Sequence, residues 1–364
     1  MYEKELAALK RAGRFRQREL HDPRLIDLAS NDYLGLAQNS KQLRKACLLM
    51  SEYETHAPKA SMLVNGYHEI HEVFEQTLCM LNGFEEGIVV GSGFLANLSL
   101  IEALVRKNDM LFIDEEYHAS GMMATGLLGE RVVKFRHNDP EDLRQKLAAT
   151  EAKRKIIAVE GVYSMSGMLC DRDIFDVADE AEALLIVDEA HSSGVIGERM
   201  LGIFEHYGNT PHERHIKMGT LGKAYGSYGA YILASNEIIT FLQNRAKPII
   251  YSTAPSVIDT ALALVNVRSI AKKYPKLTHK RDQRLALVEE ILGISRESLI
   301  IPIPVKSNKD AIEKQALLKQ KGYLVGAIRQ PTVADPILRL IPRLNISKPT
   351  LKDALITIND IVLK

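Results

Sequence analysis

LLIVDEAH, residues 184–191, is the stretch on which the fold turns: an apolar run that ends in Asp188 and is followed within one turn by His191. A continuous apolar run bounded in this way reads as a strand buried on both faces, delivering an acid and a histidine to its carboxyl end. The same texture recurs outward in both directions. GIVVGS (87–92), MLFID (110–114), VVKF (132–135) and KIIAVEGV (155–162) precede it, and IKMGT (216–220) and GAYILA (229–234) follow. Helical patterns of mixed charge, such as those over 141–153 and 172–182, separate most of these runs. Seven strands in series with intervening helices predict an α/β fold, a mostly parallel sheet covered on both faces, with function gathered at the carboxyl ends of the strands. Beyond Pro255 the pattern changes to helices over 256–273 and 280–292, a Pro-rich strand region at 299–305 and a final helix, which predicts a second, smaller domain.

Composition narrows the function classes. The 364 residues are 46% apolar and 26% charged, the balance of an ordinary soluble globular chain. Lys and Arg number 47 against 46 Asp and Glu, so no global field draws the chain to nucleic acid or to an anionic membrane. Cys47, Cys79 and Cys170 are scattered and odd in number, which predicts buried thiols in a reducing compartment. The N-terminal stretch lacks the apolar core of a secretory signal, and the longest uncharged run, Gly87 to Ile101, is too short at 15 residues to span a bilayer. A cytoplasmic protein is expected.

Three motifs invite other readings. GSGFLA (91–96) follows a strand and opens a helix, and Asp114 lies 23 residues on, matching a dinucleotide fingerprint. Its physical content is a set of backbone N–H groups facing an anion at a helix N-terminus, which suits the phosphate of any cofactor. DEAH suggests a helicase, but the only Gly-Lys near a strand end, Gly222-Lys223, lies downstream, with Lys217 in place of the first glycine and Ala224 in place of Ser or Thr. YHEIHE (67–72) is not a zincin helix, and His206, His212 and His215 read as members of a polar loop. No metal site is expected.

TLGKAYG (220–226) sets Lys223 between glycines just after a strand. A lysine at a sheet's carboxyl end, desolvated enough to be neutral, can form a Schiff base with a carbonyl. The cofactor for such chemistry is pyridoxal 5'-phosphate, whose ring nitrogen stays protonated beside a buried carboxylate; Asp188 is the candidate. His118 and Ser120 follow MLFID, and Ser164 follows KIIAVEGV, so a flat ring and a hydroxyl stand at two more strand ends.

These residues, in this order and spacing, resemble the α-oxoamine synthase family of pyridoxal-phosphate enzymes. The resemblance runs through NDYLGL (31–36), GYHEIH (66–71), GSGFLAN (91–97), HAS (118–120), HND (137–139), EGVYSM (160–165), DEAHSSGVIG (188–197), TLGKAYGSYGAY (220–231), YST (251–253), and PTV followed by LRL (331–340). It implies the aspartate-aminotransferase-type architecture, fold type I, with an N-terminal arm (1–40), a large cofactor domain (41–254) and a small α+β domain (255–364). It also implies roles. Lys223 would carry the cofactor and move the Cα proton, Asp188 would pair with the pyridinium, and His118 would stack on the ring. His191 and Ser164 would bond the phenolic oxygen, and Ser92, Gly93, Phe94 and Thr220 would hold the phosphate. Ser252 and Thr253 from a neighbouring subunit would reach that phosphate too, which implies a homodimer with shared active sites. Asn31 and Arg339 would meet the substrate carboxylate, with Arg329, just before PTV, as the alternative ligand.

The Ala-His after the acid and the compact GKAYGSYGAY resemble the branch that condenses L-alanine with a pimeloyl thioester, carried on coenzyme A or on acyl carrier protein. A glycine C-acetyltransferase, or another family member joining a different amino acid to a different acyl-CoA, is the alternative. SMSGM (164–168) departs from the family's usual acidic pattern at Ser166 and Met168.

Overall fold

The computed structural model describes residues 1–363. The chain begins with α1 (Glu3–Arg11), β1 (Ile26–Asp27), α2 (Ser40–Met50), α3 (Glu69–Asn82), β2 (Glu86–Val90), α4 (Gly93–Leu104), β3 (Met110–Asp114) and α5 (Ala119–Thr125). It continues through β4 (Val132–Phe135), α6 (Pro140–Ala149), β5 (Lys155–Glu160), α7 (Asp173–Glu180), β6 (Leu184–Asp188), α8 (Ile203–Tyr207), β7 (His215–Thr220), β8 (Ala230–Ala234), α9 (Asn236–Arg245) and α10 (Lys247–Ile250). The remainder is α11 (Val257–Leu292), β9 (Ile301–Pro304), α12 (Asn308–Gln320), β10 (Tyr323–Leu324), β11 (Gly326–Ile328), β12 (Ile337–Leu340) and α13 (Lys348–Ile358). Contacts divide the described residues into two compact units: residues 34–164 with 168–278, and residues 1–33 with 165–167 and 279–363.

The larger unit is built on a seven-stranded sheet of order β2-β8-β7-β6-β5-β3-β4. Strands β4, β3, β5, β6 and β7 run parallel, and β8 is antiparallel to both of its neighbours. All seven strands expected from the sequence are present. Side chains alternate between two buried faces, which explains the unbroken apolar runs. One face packs Ile113, Ile156, Ile186 and Met218 against Leu100 and Leu104 of α4, Leu242 of α9 and Ile249 of α10. The other buries Phe112, Ile157, Val159, Leu185 and Val187. Lys217 points to this second face, where its ammonium bonds Asn82 Oδ1 at 2.9 Å and the Leu201 carbonyl and lies 3.5 Å from Glu189 Oε1. Lys217 is therefore a buried lysine held by structural partners. Cys79 and Cys170 are buried, whereas Cys47 is exposed on α2.

In the smaller unit β11-β12-β9 form an antiparallel sheet, with Arg339 opposite Gly326 on one side and Pro302 on the other. Leu287, Leu318, Leu338, Leu340, Leu351 and Leu355 form its core. The N-terminal segment is tied in by β1, which pairs in parallel with β10, and by Arg343. That buried guanidinium donates to the Asp27 carbonyl at 2.9 Å and to Asp32 Oδ2 at 3.2 Å. Among the described residues no helix is long and apolar enough to cross a membrane.

Candidate active site

The carboxyl ends of β3, β5, β6 and β7 place Asp114, Glu160, Asp188 and Thr220 along one edge of the sheet. Two loops then bring Lys223 to His191: the amine nitrogen lies 2.7 Å from His191 Nε2. Their close approach depends on Gly194, whose φ of +80° favours glycine and where a Cβ would stand 2.5 Å from the Ala224 Cβ. His191 is buried and Lys223 half-buried.

Asp188 is 4% exposed, and both of its oxygens act as acceptors, from Asn97 Nδ2 at 2.8 Å and from the Ala190 N–H at 3.0 Å. Among the described residues it forms no ion pair. A buried carboxylate without a cation is costly unless something positive is brought to it, and a protonated ring nitrogen fits that requirement.

Asn97 organises the rest. Its amide also donates to Ser120 Oγ at 2.9 Å and accepts from the Tyr117 hydroxyl at 2.7 Å. Ser120 Oγ lies 2.7 Å from His118 Nδ1, which also accepts the Ser120 N–H at 3.2 Å. A ring nitrogen that accepts a backbone N–H carries no proton, so a neutral His118 bears its hydrogen on Nε2. Burial lowers the His118 pKa against the pull of Asp188, and the charge of Lys223 lowers it further. The ring is thus held neutral and fixed in orientation.

Glu160, opposite Asp188 in the β5–β6 register, is 2% exposed. Its Oε2 accepts the Ser164 N–H at 3.0 Å, while its Oε1 has no hydrogen-bond partner. Burial, and next the adjacent Asp188 carboxylate, push its pKa well above the ordinary carboxylate value, against the pull of Lys223.

Ser92 caps α4, its hydroxyl accepting the Leu95 N–H at 3.3 Å. The first-turn N–H groups, those of Gly93 and Phe94 included, have no intrahelical acceptor, and a Cβ on Gly93 would meet nothing within 4 Å. This helix start, open at Gly93, offers N–H groups that suit an anion. Thr220 donates its hydroxyl to the Gly229 carbonyl at 3.0 Å and accepts the Gly222 N–H at 3.2 Å, so its hydrogen already closes the β7–β8 turn. Ser164 is buried. Ser252 is half-buried and Thr253 exposed just after α10, and no hydrogen bond joins either to Lys223 or to the start of α4 among the described residues.

In the smaller unit Arg339 Nη2 donates to Asn31 Oδ1 at 2.9 Å. Arg339 is 6% exposed, and its buried Nε has no partner, so the guanidinium keeps unspent donors for a planar anion. Arg329 instead donates to the Gly13 carbonyl at 2.7 Å, beside an open cavity of about 740 Å³ that residues of the N-terminal segment line.

Two residues of this site escaped the reading of the sequence. Asn97 lies one helical turn beyond Gly93, and that i, i+4 spacing was the available signal. Glu160 gave none, because its proximity to Asp188 depends on β5 and β6 being neighbours. Asp114, the dinucleotide candidate, is already saturated. It accepts from the Tyr163 hydroxyl at 2.6 Å and the Asn138 and Glu116 N–H groups at 2.8 Å each, and lies 3.1 Å from His137 Nδ1. His68 and His71 serve as hydrogen-bonded caps of α3.

The sheet order, the lysine between two turns, the unpaired buried acid and the open helix start are those of a fold type I pyridoxal-phosphate enzyme. The chain belongs to the aminotransferase class I and II family, whose model matches residues 23–358. Within that family it is most informatively similar to 8-amino-7-oxononanoate synthases. Those of two Helicobacter pylori strains are 46% and 45% identical to it over 342 residues, 93% of this chain and 92% of theirs. A solved 8-amino-7-oxononanoate synthase from Francisella tularensis is 25% identical, with a TM-score of 0.77 over 94% of this chain and 97% of that one. A serine palmitoyltransferase from S. paucimobilis shares the fold at 21% identity, with a TM-score of 0.87 over 99% of this chain and 97% of that one.

Proposed function

We propose that this chain is a pyridoxal-phosphate-dependent C-acyltransferase that joins L-alanine to a pimeloyl thioester, with loss of the thiol and CO2, to form 8-amino-7-oxononanoate for biotin synthesis. The identity to the Helicobacter pylori synthases over nearly the whole of both chains carries the choice of reaction. The unpaired, buried Asp188 beside the Lys223–His191 pair carries the choice of cofactor.

Pyridoxal phosphate, when bound, supplies an electron sink for the charge that develops at the amino acid's Cα. The protein does the rest. Asp188 keeps the ring nitrogen protonated, and Asn97 fixes the carboxylate that does so. Neutral His118 would stack on the ring without adding charge. The N–H groups at the start of α4, with Ser92, hold the phosphate. His191 and Ser164 would bond the phenolic oxygen, and Lys223 would move the Cα proton. Arg339 and Asn31 take the amino acid's carboxylate; the orphaned Nε and the Asn31 contact favour Arg339 over Arg329. A carboxylate held there would restrict rotation of the amino acid and so select which Cα bond breaks.

The same reading makes the enzyme a cytoplasmic homodimer with shared sites, Ser252 and Thr253 reaching the neighbouring subunit's phosphate. Heterodimers of Lys223→Ala with Ser252→Ala/Thr253→Ala recover activity if sites are shared, since one complete site forms, and recover none if they are not. The reaction itself is tested by following thiol release from L-alanine or glycine with pimeloyl, acetyl or succinyl thioesters, coenzyme A and acyl carrier protein serving as carriers. Turnover of L-alanine with a pimeloyl thioester is expected; turnover of glycine with acetyl-CoA alone refutes the assignment.

A further inference from the structure

The larger unit holds a second polar cluster, at the amino end of β7 and so at the far end of that strand from Lys223. Asp179 lies near the end of α7, His212 in the loop after α8, and His215 is the first residue of β7. His212 Nε2 is 2.9 Å and His215 Nε2 3.6 Å from the same oxygen, Asp179 Oδ1, and the three ligand atoms lie within 4.8 Å of one another. The two imidazoles face each other with centroids 3.7 Å apart.

His215 is not the loop residue the sequence suggests. It is 3% exposed, packs against the rings of Phe175 and Phe204 at 6.1 and 5.3 Å, and among the described residues neither ring nitrogen has a hydrogen-bond partner. Burying a polar ring with both nitrogens unsatisfied is costly and uncommon. Neutral imidazole is also the commonest protein ligand for metals. A tetrahedral ion with bonds of about 2.0–2.1 Å spaces its ligand atoms about 3.3 Å apart, a value that the 2.9 and 3.6 Å separations bracket. Ligation through His212 Nε2 replaces its proton toward Asp179 and gives up the long 3.3 Å contact from the Arg214 N–H to Nδ1. The Arg214 guanidinium is paired with Glu213 at 3.1 Å, which offsets its charge.

We propose that Asp179, His212 and His215 form a site for a divalent transition-metal ion of the zinc class, completed by water, that fastens α7 to the start of β7. β7 is six residues long, or about 20 Å at 3.3 Å per residue, so the ion stands away from the reacting atoms and acts on stability.

The test titrates tag-free, cofactor-loaded protein with Co2+, reads the difference spectrum for the visible bands of a four-coordinate ion, and then displaces the ion with Zn2+. One equivalent is expected to bind, and Zn2+ is expected to raise the melting temperature. Asp179→Asn and His212→Ala, both at partly exposed side chains, should each weaken Co2+ binding by about 100-fold or more, while the exposed His206→Ala leaves it unchanged. Far-UV circular dichroism confirms that each variant is folded. Binding of equal strength by wild type and both variants, or no band at stoichiometric Co2+, overturns the proposal. Thiol release is unaffected by either result.

Discussion

Asp114 and Asp188 close parallel strands of one sheet, both buried, yet they are opposite in kind. Asp114 has its acceptor capacity filled by Tyr163, His137 and two backbone N–H groups, and it holds the turns around it. Among the described residues Asp188 receives two hydrogen bonds and no cation. A buried acid at a strand end is therefore not in itself a functional signal; what distinguishes the two is whether the protein supplies the compensating charge. Where it does, the acid is structure. Where it does not, a ligand must.

That difference is sharpest in activity. With Asp188 as the proposed partner of the protonated ring nitrogen, Asp188→Asn would cost ~2–5 kcal/mol of that pairing and should lower kcat/KM by about 100-fold or more while the melting temperature stays near that of wild type. Steady-state kinetics with calorimetry checks both. Asp114→Asn should do the reverse, costing about 3 kcal/mol of stability through its broken network while the folded enzyme keeps its kcat. Denaturant melts decide it, and an exchange of these two phenotypes would dissolve the comparison. Asn97→Ala leaves Asp188 its Ala190 contact alone. Losing one hydrogen bond to a charged group, ~1.5–3 kcal/mol, should weaken cofactor affinity by roughly 10- to 100-fold in an equilibrium titration.

The smallest effect is on pH. Burial opposes charge on His137, yet the hydrogen bond and charge of Asp114, with Glu116 and Glu115, hold its pKa above the ordinary imidazole value. The folded state thus binds this proton more tightly than the unfolded state. The contribution is complete below the unfolded pKa of about 6.5 and fades as pH rises through the folded value. Stability curves of wild type and His137→Asn should converge toward alkaline pH; curves that stay parallel across that range would remove Asp114's share of the pairing.

Much of this architecture is legible in the sequence, because long buried strands announce themselves. VVKF is β4 residue for residue, and MLFID is β3. Strands of two to four residues in the smaller unit, β10 and β11 among them, carry no period to read. The reading of separate helices over 256–273 and 280–292 gives way to one helix, α11, which runs on through Pro275. At the site, Lys223, His191, Asp188 and His118 could be singled out because each ends a strand or lies within one turn after it. Which of them meet could not. The Asn97 network joins a helix to α5, to β6 and to the loop before α5, Glu160 depends on strand order, and the Thr220 hydroxyl closes its own turn. His215 was hidden in a polar stretch whose last residue begins a strand.

The central claim is that cofactor chemistry is anchored at Lys223, and borohydride reduction of the purified holoenzyme followed by peptide mass spectrometry tests it most directly. The structure predicts loss of the visible absorbance band with one cofactor mass fixed on the peptide containing Lys223, and neither in Lys223→Ala. A label on another lysine, or a colourless wild-type protein that cannot be reconstituted with pyridoxal phosphate, would contradict it.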